Sequence, residues 1–188
     1  MQNNENNEVK ICTRCKREIS YYDKTCYYCG EEFEVEYPDE RAEYIQKNIG
    51  TYLRKFNKID SGDKASSWNW CAFLFTVDWL VYRKMYKLAV IVLVATVVID
   101  LVAQLVFFSV ISNELAASLL SNFVTIAYCV FIGIMGDRWY KTRIDKLVEE
   151  SAGIPDEEKQ QHYKKGGTNI VAVIVMVLIA GTINLLLQ

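Results

Sequence analysis

The chain has 188 residues, 52% of them hydrophobic, and a formal net charge of −2. That length allows one or two domains and excludes a large multidomain chain. The averages hide a sharp division. Residues 1–40 carry five Lys/Arg against ten Asp/Glu, residues 41–67 carry six against three, and residues 68–136 carry three of each. An acidic head and a basic segment therefore lead into an apolar body. The start, MQNNENNEVK, is polar and lacks an apolar core, so no signal peptide is expected there.

Residues 1–8 read as a disordered tail, and residues 9–36 as a zinc ribbon. KICTRCKREISYYDKTCYYCGEEF has the form C-x2-C-x10-C-x2-C, with Cys12, Cys15, Cys26 and Cys29. Two such knuckles suit tetrahedral Zn²⁺ with four thiolates. Disulfides are the competing use, but the charge pattern described below puts this end in a reducing compartment, where metal is favoured. Four protein ligands leave no open position, so the zinc is structural rather than catalytic. Gly30 suits the positive φ that follows a second knuckle. Lys16 holds the matching place in the first. The segment is too short to build a core, so metal would supply much of its folding free energy. Its acidic surroundings argue against nucleic acid. A protein-facing module is preferred over a partnerless stabilising cap.

Residues 37–65 read as one amphipathic helix and a linker. Ala42, Ile45, Ile49, Tyr52, Leu53 and Phe56 fall on one face. Residues 66–87, SSWNWCAFLFTVDWLVYRKMYK, are aromatic and basic. Trp68 to Tyr82 would reach roughly 22 Å as a helix, short of a bilayer core. The expectation is an interfacial or shallow re-entrant helix anchored by Trp68, Trp70, Trp79, Tyr82, Arg83, Lys84, Tyr86 and Trp139.

Residues 88–188 read as a three-span membrane domain. The spans are Leu88–Phe108, Leu115–Met135 and Thr168–Leu187, with a loop at 137–167. Buried helices of a soluble protein would keep a polar face, and these runs do not. Lys and Arg flank the first span at its start and fill the 137–167 loop. None lies between spans one and two or after span three. The N-terminus is thus expected in the cytoplasm and the C-terminus outside. The loop should hold two short helices that break near Gly153-Ile154-Pro155, with His162 solvated. Within the spans, Asp100, Gln104, Asn122, Thr182 and Asn184 converge at depths of roughly 18–24 Å. Interhelical hydrogen bonding is favoured over an ion or proton site. Ala117 with Ser121, and Gly133 with Gly136, offer small surfaces for close helix contact, and a homo-oligomer is compatible with them.

Trp68-Asn69-Trp70, Ala72-Phe73, Phe75, Trp79 and Tyr82-Arg83-Lys84-Met85-Tyr86 resemble the signature of a bacterial family of small membrane proteins, domain of unknown function 2628. DRWYKTRIDK and Gly166-Gly167-Thr168-Asn169 also look like that family. Val77-Asp78 departs from the Gly-Pro expected before the tryptophan. The resemblance implies membrane spans and supplies no activity. The N-terminal part looks like zinc ribbons fused to membrane proteins.

The expected fold class is an all-α integral membrane protein: three transmembrane helices, an interfacial or re-entrant aromatic helix and a small N-terminal zinc ribbon. No Ser-His-Asp set, phosphate loop or open metal site is visible, so no enzyme is expected. The function expected is an inner-membrane protein whose cytosolic ribbon serves as an interaction, sensor or assembly module. The alternative is a small transporter or channel subunit built around Asp100, and a third reading is a lipid-interacting protein using Trp68–Lys87 and the basic loop. Membrane lipid and a protein docked on the ribbon are the partners expected.

Overall fold

A computed structural model describes residues 9–37, 39–62, 68–111 and 113–186, without the side chains of Phe108, Ala180 and residues 183–186. The tail at 1–8, and Ser66 and Ser67 at the head of the aromatic segment, lie outside the described residues.

The ribbon is a small antiparallel unit. Strand β1 (Val9–Ile11) pairs with β2 (Glu18–Ser20), Lys10 opposite Ile19. A single bridge, Thr25 to Glu32, closes the second hairpin. Its centre is Cys12, Ile19 and Cys26, with Phe33 packed against them. This cluster is separate from the main core.

The rest is helical. The amphipathic segment is not one helix but two, α1 (Arg41–Ile45) and α2 (Ile49–Asp60). Gln46 and Asn48 between them take left-handed φ values of 58° and 60°. The break has a tertiary cause, because the carbonyls that would continue the helix are used elsewhere. Tyr44 O accepts from Gly167 N at 2.6 Å, and Ile45 O and Lys47 O accept from the Arg83 guanidinium at 3.4 Å.

Helix α3 (Trp70–Tyr82) starts at Asn69, whose side chain accepts from Ala72 N. That is a helix N-cap, which satisfies one of the first-turn donors. The helix kinks at Thr76, φ 25°, next to Val77-Asp78. It packs against both α4 (Tyr86–Val110) and α5 (Glu114–Ser151), and against α7 (Ile170–Leu186). A left-handed Lys84, φ 57°, turns the chain from α3 into α4.

Helix α5 corrects the expected loop. Its 38 residues run unbroken from the second apolar run through DRWYKTRIDKLVEES, about 57 Å in all. No Gly or Pro interrupts Asp137–Ser151, and the helix ends just before Gly153-Ile154-Pro155. Helix α6 (Asp156–Tyr163) follows.

Among the described residues two helices are long and apolar enough to cross a membrane, Tyr86–Phe107 and α5. Only 11% and 17% of their apolar windows are buried inside the chain. The segment of the expected third span forms α7, whose 17 residues reach about 26 Å, short of a bilayer core of about 30 Å.

The packed core lies at the opposite end from the α4–α5 loop. Tyr44, Ile45, Leu53, Phe56, Trp79, Leu80, Tyr140 and Ile144 meet there, supplied by α1, α2, the end of α3 and the polar half of α5. Gly136 lets α5 approach α3 closely: a β-carbon on it would sit 2.8 Å from Ala72 Cβ of α3.

Candidate functional site

The four ribbon cysteines converge. Their sulfur atoms all lie within 4.8 Å of one another. Cys12 Sγ is 3.6 Å from Cys29 Sγ, and Cys15 Sγ is 3.6 Å from Cys26 Sγ. A disulfide would need about 2.05 Å. A tetrahedron with metal–sulfur bonds of about 2.3 Å has sulfur–sulfur edges of about 3.8 Å. The spacing is that of ligands to one ion.

The knuckles are built alike. Lys16 N donates to Cys12 O at 3.0 Å and Gly30 N to Cys26 O at 2.8 Å. Lys16 and Gly30 take φ values of 59° and 75°. Lys16 therefore adopts the left-handed turn that glycine adopts more easily. Cys15 N also donates to Cys12 Sγ. Cys12 is lowered to about 7, chiefly by that backbone N–H. At Cys29 the Glu31 N–H favours the thiolate. Burial and contact with the other cysteines outweigh it and push Cys29 up to about 12. Four sulfurs this close cannot all ionise without a cation among them. The donor set fits a thiophilic metal ion. Cys71 is exposed and Cys129 half-buried, both outside this group.

Two polar nodes hold the base beneath the apolar helices. In the first, Asp137 is fully buried on α5. Lys55 Nζ donates to it at 2.7 Å and Asn69 Nδ2 at 2.7 Å. Asn69, the centre of the WNW block, thus caps α3 with its oxygen and binds Asp137 with its nitrogen. In the second, Arg83 is 2% exposed. Its guanidinium lies 4.3 Å from the Tyr52 ring centre and 4.9 Å from that of Tyr140. Nη1 also donates to Tyr140 Oη at 3.2 Å. Among the described residues no acidic side chain forms an ion pair with Arg83. Aromatic faces and carbonyls hold its charge instead.

The expected anchors therefore divide. Trp70 and Tyr86 are exposed, and Trp68, Tyr82, Lys84 and Trp139 are half-buried. Trp79 and Arg83 are corrections: both are core residues, Trp79 packed on Gly136 and Tyr140 of α5 and Arg83 held between the Tyr52 and Tyr140 rings. His162 is a third correction. It is buried, and its Nδ1 lies 2.7 Å from Tyr44 Oη.

The expected polar cluster is not assembled as one site. Asp100 Oδ1 accepts from Thr125 Oγ1 at 2.7 Å, a bond between α4 and α5. Thr125 was not among the expected members. Gln104 and Asn122 are exposed. Thr182 is exposed too, and donates to Ile179 O of its own helix. The Asn184 side chain lies outside the described residues. Depth along a span places residues at one level but not on one face, and these face different ways.

Sequence reasoning missed the Asn69–Asp137–Lys55 node. Two signals point to it: an Asn at N-cap spacing before an apolar helix, and a carboxylate directly after a Gly-x-x-Gly face.

No curated protein and no solved structure matches the chain. A family model described as a protein of unknown function, DUF2628, matches residues 37–146. The matched stretch begins after the ribbon and contains the WNW cap, the buried Arg83 and the Asp137 node, so the features that build the base belong to the family's own region. That match covers more than half of the chain, which belongs to the DUF2628 family.

Proposed function

We propose that the protein is a multi-pass membrane protein whose four-cysteine ribbon binds structural Zn²⁺ and docks a protein partner, as an adaptor, sensor or assembly factor. In this reading the helices from α4 onward anchor it, with the N-terminus and the long polar half of α5 in the cytoplasm. The third crossing is α7. One observation carries the docking role: the ribbon leaves three large apolar or aromatic side chains exposed among its charged residues. Ile11 is 63% exposed, Tyr27 69% and Tyr28 48%. Exposed aromatic and aliphatic side chains on a cross-linked scaffold suit a protein interface. The inner side of the ribbon is already used: Tyr22 Oη accepts from Asn57 of α2 at 3.1 Å, and Asp23 lies 3.9 Å from Arg54.

The transporter alternative has less support, since Asp100 is paired with Thr125 and the remaining polar side chains do not gather around it.

The test is in-cell crosslinking followed by mass spectrometry of co-purifying proteins. Wild type is compared with Tyr27→Ser/Tyr28→Ser, which spares the metal ligands, and with Cys26→Ser/Cys29→Ser. Proteins captured by wild type and lost from both variants support docking. Identical lists make the ribbon a stabilising cap.

A further inference from the structure

A cavity of about 580 Å³ opens between the start of α4 and the polar half of α5. Four cations border it: Lys84, Lys87, Arg143 and Lys146. Glu150 is the single acid on its wall. That acid is already engaged. It lies 4.0 Å from Lys146 Nζ and 4.0 Å from His162 Nε2. Lys84, Lys87 and Arg143 form no ion pair among the described residues. Lys84 and Arg143 reach only the neutral carbonyls of Lys164 and Lys165.

Burial, and then the nearby Arg143, lower the Lys84 ammonium below its ordinary value. The left-handed backbone at Lys84 is a strained place for a lysine, yet it holds this ammonium on the cavity wall. The N-terminus of α4 opens here as well, with no side chain capping it. Its free N–H groups and dipole add to the positive potential.

Position decides the ligand. Immediately beyond the cavity both helices turn bare and apolar, Val90 and Ile91 on α4 and Phe131 on α5 being exposed. Trp139, on the cavity wall, packs its ring 6.0 Å from that of Phe131 at this boundary. A free soluble anion would not need that apolar border. A phospholipid needs both parts, an anionic headgroup in the basic cavity and acyl chains along the α4–α5 surface. We propose that this cavity is a binding site for the headgroup of an anionic phospholipid. The proposal rests on the membrane reading above.

The test uses full-length protein purified in detergent, with native mass spectrometry to count retained lipids. Phosphatidylglycerol, phosphatidylcholine and inorganic phosphate are offered in turn. Flotation on vesicles of phosphatidylcholine alone is run in parallel. Wild type should retain phosphatidylglycerol over phosphatidylcholine, with no displacement by phosphate. Each of Lys84→Gln, Arg143→Gln and Lys146→Gln should weaken retention about five-fold, and the triple variant about 100-fold. Lys58→Gln, on α2 and away from the cavity, should have no effect.

Equal retention of both lipids, or an unchanged triple variant, overturns the site while flotation leaves the membrane reading standing. Displacement by inorganic phosphate makes it a soluble-anion site and overturns the lipid. Failure to float overturns the membrane reading and the site with it.

Discussion

Asn69 does two jobs with one amide. Its oxygen caps α3, and its nitrogen helps compensate a carboxylate with no solvent exposure. Losing a cap costs about 1 kcal/mol, and weakening the partners of a buried polar group costs another 1–3 kcal/mol. Asn69→Ala should therefore lower stability by about 2–4 kcal/mol, read as a drop in the thermal midpoint in detergent. An unchanged midpoint would remove Asn69 from this role. Asp60 makes a pH prediction. Burial opposes its ionisation, but hydrogen bonds from Lys141 and Arg41 outweigh it and hold Asp60 below the usual carboxylate range. A depressed carboxylate adds stability above its unfolded value, about 3.9, and loses it as pH falls through the folded value. Wild type should therefore lose stability below about pH 4 more steeply than Asp60→Asn. The side chain is 46% exposed, so the difference at neutral pH should stay under about 1 kcal/mol. Parallel acid titrations of the two proteins by circular dichroism check this.

At the scale of elements, the ribbon and the helical base have separate cores. The ribbon's interior is small, and metal ligation would supply much of its stability. Chelation should therefore release residues 9–36 to rapid amide exchange while the stretch around Tyr140 and Ile144 stays protected. Loss of protection in both would show that the two units fold as one. The cysteine spacing was readable because a knuckle closes within a few residues. The division of 37–65 into α1 and α2 was not. Its apolar face continues at helical spacing across Gln46–Asn48, and the break comes from Arg83 and Gly167 taking carbonyls of that turn. The unbroken α5 also escaped the sequence, since a change from apolar to charged residues marks a change of solvent, not the end of a helix.

For the whole molecule, the topology we propose predicts a labelling pattern. In a background lacking Cys71 and Cys129, Asn113→Cys should react with an impermeant maleimide on intact cells. Glu149→Cys should react only after permeabilisation. The reverse pattern would invert the protein, and labelling of both on intact cells would deny that α5 crosses. By itself the sequence determined the four-cysteine cluster, two of the three expected spans as long apolar helices, and the aromatic-basic segment before them. Each of these is written in neighbouring residues, as a spacing, a run or a period. Only the tertiary structure decided that Arg83 and Trp79 are interior, that His162 meets Tyr44, and that Asn69 meets Asp137. Those contacts join residues 57, 118 and 68 positions apart for Arg83–Tyr140, Tyr44–His162 and Asn69–Asp137. No local period encodes such a pairing. It follows from which faces the packed helices turn toward one another, and the same packing bonds Asp100 to Thr125 while leaving Gln104, Asn122 and Thr182 exposed.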